Sequence, residues 1–183
     1  MSSRLRLFLI LWLVGFAGVL SFQFVDLAAL IAKLPNAQGK PLPLPMAIIR
    51  LLSVAQPAVM VGAAVFVGLV LAPRVGLSAP GAQALAERRP LLPCLRPQLM
   101  PGIAGAAIAA PTIIVCWLLW KPFLSPSFVQ SADEFSRMLP PLTRFLYGGI
   151  TEELLLRWGL MTLLVWAAWK GLQKEKGAPR PAL

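Results

Sequence analysis

Apolar residues in this chain come in unbroken blocks of roughly twenty, not at amphipathic spacing, and that decides which solvent the fold must face. A bilayer core about 30 Å thick is crossed by about 20 apolar residues in helical form, because lipid offers no partner to an exposed backbone N–H or C=O. A mean hydropathy of +0.76, with 58% hydrophobic and 13% charged residues, excludes a water-soluble single domain. The expected fold is therefore all-α: one membrane domain, a polytopic transmembrane helix bundle of about four spans.

Those spans are placed at 7–30, 46–72, 102–120 and 142–169, with a basic tail over 170–183. The first, preceded by Arg4 and Arg6, runs on past Phe22 without an A-x-A cleavage site and reads as a retained anchor. Gln23 and Asp26 near its end belong at the interface or against other helices. Prolines over 35–45 (PNAQGKPLPLP) forbid helix there. In the second span Gly62 and Gly68 allow close helix approach, and Pro57 predicts a kink. The Pro-rich connection 73–101 is expected to be loop, apart from a short amphipathic helix near Gln83 to Arg89 lying on the headgroups. The third span presents Gly102, Gly105, Ala106 and Ala109 for helix packing. A surface helix carrying Asp133, Glu134 and Arg137 precedes the fourth span.

The formal charge of +10 falls mostly between the apolar blocks, so its expected partner is the lipid bilayer and its anionic headgroups, with no nucleic acid. Ten Lys and Arg lie on the side of the termini and second connection, against six opposite, which predicts both termini in the cytoplasm. Cys94 and Cys116 have no CxxC spacing and are too far apart for a disulfide. The chain contains no histidine. That excludes Ser-His-Asp and Cys-His arrangements, HExxH zinc sites and imidazole-held haem. No cofactor or metal is expected.

Three spans carry no ionisable residue near their centre; the fourth carries Glu152, Glu153 and Arg157 within six residues. A charge at bilayer depth costs about 2.5–3.5 kcal/mol on insertion scales, so three together need partners or a task. Glu153 and Arg157 stand at i,i+4 with the carboxylate first, the favourable order for an ion pair. Glu152 is rotated about 100° away and falls on the stripe of Gly149, Leu156 and Gly159. One carboxylate is braced and the other is left free. Two plainer readings stand beside this: a polar cluster that joins helices, and a shallow Glu152 near the water interface, eight residues after Arg144.

The string Glu152-Glu153-Leu154-Leu155-Leu156-Arg157 matches EExxxR and resembles the first motif of the CAAX prenyl endopeptidase and bacteriocin-processing (CPBP, or Abi) family of intramembrane proteases. The preceding basic loop, with Pro73-Arg74-Val75-Gly76-Leu77, fits that likeness. The resemblance is loose up to about Leu172 and specific over Gly148 to Arg157. It implies an intramembrane endopeptidase of a bacterial inner membrane acting on hydrophobic or prenylated peptides. Glu152 would be the general base that activates water, with Glu153 and Arg157 positioning it. The family's later motifs, FxxxH and a histidine followed four residues on by Asn, have no counterpart here. The resemblance thus implies an incomplete version of a larger bundle, and a non-catalytic protein of bacteriocin-immunity or scaffold type is the alternative. A small transporter subunit using the glutamates for cation or proton binding is a third reading, disfavoured because one span alone carries charge.

Overall fold

A computed structural model describes residues 2–32 and 44–172. Lys33, Lys40, most of the 35–45 loop and the basic tail residues Lys174, Lys176 and Arg180 lie outside them. The chain is all-helical, with no strand among the described residues. Its elements are α1 (Ser3–Leu20), α2 (Leu27–Ala32), α3 (Met46–Leu71), α4 (Pro80–Ala86), α5 (Leu91–Trp120), α6 (Pro126–Met138), α7 (Pro141–Thr143) and α8 (Thr162–Leu172). Residues 141–172 form one continuous helical run, here the charged helix, in which Arg144–Thr151 and Leu154–Met161 adopt π-helical bonding.

Three helical stretches are long and apolar enough to cross a bilayer: Ser3–Phe24, Met46–Val75 and Leu91–Phe123. The charged helix falls outside this group, since Arg144, Glu152, Glu153 and Arg157 interrupt its apolar sequence and π-turns interrupt its regular helix. The first span ends earlier than the expected residue 30. Val25 is extended, and the Asp26 carboxylate starts α2 by accepting from the Ala29 N–H at 3.0 Å.

The third span departs further from expectation. α5 begins at Leu91 and holds Pro97, Pro101 and Pro111 inside one helix, where the connection to Pro101 was expected to be loop. A helix-interior proline costs about 3 kcal/mol in water. At membrane level the alternative is unpaired backbone over several residues, which costs more. The expected headgroup helix exists as α4, shifted to Pro80–Ala86. It packs on α1 with Ala84 and Ala86 buried, so it is part of the bundle rather than afloat on lipid.

α1, α3 and the charged helix pack together, α1 antiparallel to the other two. Lipid tails are as apolar as the side chains between them, so close fit holds these helices together. Val61 and Val65 of α3 are fully buried, with Leu11 and Val19 of α1 beside them. As expected, Gly62 and Gly68 admit neighbours. The Trp12 indole sits over Gly62 and donates to the Ala58 carbonyl at 3.1 Å, and Trp158 lies against Gly68. Pro57 lies within an α3 that stays helical throughout.

α5 stands apart. It buries no side chain, touching the bundle through α4, where Leu95 meets Gly81. The small face at Gly102 and Gly105 opens on empty space, so the expected packing against another helix is absent among the described residues. The glycine faces of α1 and α3 are already filled by Thr151 and Trp158. α6 is the expected surface helix. Ser125 caps its start, and the Arg144 guanidinium folds back onto the Ser136 and Leu139 carbonyls at its end.

Candidate functional site

The charged helix is held against α1 by two threonines. Thr151, fully buried, donates to the Gly15 carbonyl at 2.8 Å, and Thr143 donates to the Ser21 carbonyl at 2.9 Å. Such an approach needs a small residue opposite. A Cβ on Gly18 would overlap the Thr151 hydroxyl and stand 2.6 Å from the Leu146 carbonyl oxygen. On the far side Gly159 is buried against Ala64 of α3, where a Cβ would lie 2.6 Å from the alanine methyl.

This docking sets the depth of the charges. Leu154, next to the glutamates, reaches Gly15 and packs in the core beside Val61. Those residues lie near the middle of the Ser3–Phe24 and Met46–Val75 spans. Glu152 and Glu153 are therefore level with the middle of those two helical stretches.

Glu153 and Arg157 form the expected i,i+4 pair, with Arg157 Nε 2.9 Å from Glu153 Oε2. Both side chains are exposed on the outer face of the bundle. Glu152 is also exposed and makes no hydrogen bond or ion pair among the described residues. Its carboxylate lies over Gly148 and within electrostatic reach of Tyr147, whose ring meets Phe22 edge-on at 4.7 Å.

The stripe drawn through Glu152, Gly149, Leu156 and Gly159 is not realised: Gly159 is buried while Glu152 is exposed. The cause is the π-bonding on both sides of the glutamates. The Glu152 N–H donates to the Tyr147 carbonyl, five residues back, and the Thr151 and Thr162 hydroxyls also reach carbonyls five residues back. Each such turn holds more residues than the α-helical 3.6, so faces computed at 3.6 drift. π-turns occur often at functional sites.

Glu153, not Glu152, lines a groove of about 440 Å³ between α1, α4, the start of α5 and the charged helix. Its other walls are apolar, among them Ile10, Val14, Leu85, Leu95 and Ile150. The groove is thus mostly apolar, with the Glu153 carboxylate on its wall. No group of three or more His, Cys, Asp or Glu that could hold a metal ion occurs among the described residues.

The structure thus brings Glu153 and Arg157 together and leaves Glu152 beside them, facing elsewhere. Sequence reasoning missed the threonine contacts. Their signal was present: Gly15, Gly18 and Ser21 recur every third position, and Thr143, Thr151 and Gly159 every eighth.

No family model, curated protein or solved structure matches this chain.

Proposed function

We propose that this chain is a membrane-embedded protein that receives a hydrophobic peptide segment in the groove beside Glu153 and hydrolyses it, in the manner of the CAAX-protease and bacteriocin-processing enzymes that its EExxxR motif resembles. The observation that supports the reading is the Glu153 carboxylate, paired with Arg157, on the wall of an apolar groove, with a second, unengaged carboxylate adjacent in sequence. In this reading the peptide bond that is cut lies outside the groove, on the face of the charged helix that carries Glu152. Glu152 takes a proton from water, the hydroxide adds to the scissile carbonyl, and the proton passes to the leaving amine as the C–N bond breaks. Glu153 and Arg157, paired with each other, position the site.

A second reading, a non-catalytic protein of immunity or scaffold type, is favoured by the absence of any histidine and by the exposure of both glutamates. In that case the pair anchors a bound peptide and no bond is cut. The two readings separate in one experiment on full-length protein in nanodiscs, supplied with hydrophobic and prenylated peptides. Hydrolysis is expected to fall by about 10²–10⁴ in Glu152→Gln, the usual contribution of a general base. Equal cleavage by both proteins removes Glu152 from the role. Peptide retention without cleavage selects the second reading.

A further inference from the structure

One end of the bundle is far more basic than the other. The start of α1, the end of α3, α4 and the start of α5 gather Arg4, Arg6, Arg74, Arg88, Arg89 and Arg96. Among the described residues Glu87 is the one acid at that end, and Arg89 already engages it. Within this cluster lies a cavity of about 270 Å³. Its polar wall is Ser3, Arg4, Gln83 and Glu87; its apolar wall includes Leu69 and Trp158. Arg4 is exposed and has no ion pair among the described residues, and Gln83 is half-buried.

The position of this cavity matters as much as its lining. It lies at the start of the apolar stretch Ser3–Phe24 and the end of Met46–Val75, the ends at which a membrane-crossing helix reaches the lipid phosphates. A ligand there would place a negative group beside Arg4, at the basic end of the bundle, and an apolar portion along the α3 side chain Leu69 and the Trp158 ring. A soluble phosphate has no use for the second wall, and a plain acyl chain has none for the first.

We infer that the cavity between α1, α3 and α4 is a site for one anionic phospholipid, its phosphate on Arg4 and Gln83 and the upper part of an acyl chain against Leu69 and Trp158. The site lies away from the glutamates and is independent of the proposed hydrolysis.

The test uses full-length protein stripped of lipid in neutral detergent. It is then offered equimolar phosphatidylglycerol and phosphatidylcholine, and retained lipid is counted by native mass spectrometry. Wild type is expected to keep one phosphatidylglycerol in preference to phosphatidylcholine. Arg4→Gln should weaken that preference about fivefold, the equivalent of about 1 kcal/mol for one basic side chain at an anionic surface. Gln83→Leu should weaken it as well, while Arg96→Gln, outside the cavity lining, should keep it. Equal retention of the two lipids overturns the assignment. So does an equal loss in Arg4→Gln and Arg96→Gln, which would mark a diffuse charge effect. Thermal stabilisation by soluble glycerol phosphate equal to that by the lipid would make the ligand a free phosphate and overturn it too.

Discussion

The hydroxyl of Thr151 donates to the main-chain carbonyl of Gly15, 136 positions away in sequence, at 2.8 Å in a fully buried contact. Removing the hydroxyl while keeping the shape, in Thr151→Val, leaves the helices in contact without that bond. The expected loss is about 0.6–1.7 kcal/mol, the range for interhelical hydrogen bonds in membranes. Thr151→Ser should recover most of it. Unfolding in mixed micelles followed by circular dichroism measures both.

Gly18 and Gly105 look alike in sequence, each a glycine in an apolar span, but they differ in surroundings. A side chain at Gly18 meets the Thr151 hydroxyl and the Leu146 backbone, whereas Gly105 faces open space. Gly18→Leu should destabilise the bundle by about 1–3 kcal/mol or more, as over-packing does. Gly105→Leu should stay within about 0.5 kcal/mol. The same unfolding assay compares them, and equal effects would place an unseen neighbour against α5.

The Glu153–Arg157 pair is exposed, so breaking one side leaves a lone charge on the outer face of the bundle. Because Arg157→Leu strands the Glu153 carboxylate, adding Glu153→Gln should make this helix insert better than Arg157→Leu alone, by up to about 2.5–3.5 kcal/mol. Glycosylation mapping of membrane insertion reads the difference. A double variant as impaired as Arg157→Leu would mean that the guanidinium acts on something other than Glu153.

Arg88 has φ +58° at the end of α4. The Arg89 N–H reaches the Ala84 carbonyl at 2.7 Å and the Arg88 N–H the Leu85 carbonyl at 3.1 Å, the bonding of a Schellman turn. That position favours glycine, because a Cβ in the left-handed region costs about 1–2 kcal/mol. Arg88→Gly should therefore stabilise the protein by about 1 kcal/mol. A lower melting temperature in lipid nanodiscs would instead assign the arginine side chain a binding role larger than its strain.

Local features of this protein were legible in its sequence because their causes are local. Blocks of apolar residues set the all-helical fold and its three helices long and apolar enough to cross a bilayer. The Glu153–Arg157 pair follows from four residues of spacing within one helix. Glycines at 62 and 68 could be read as contact points since nothing larger fits between close helices.

Tertiary structure decided the rest. Which face of the charged helix meets α1 depends on the rotation of two helices far apart in sequence, and π-turns around Glu152 shift that rotation without altering composition. The prolines of α5 read as loop until the lack of water makes helix the cheaper state for their backbone. Which part of α1 lies beside the glutamates was likewise a matter of packing, set by the Thr151–Gly15 contact. The sequence determined that three charges fall within six residues of one helix. The docking of that helix determined that Glu153 lines the groove and Glu152 does not.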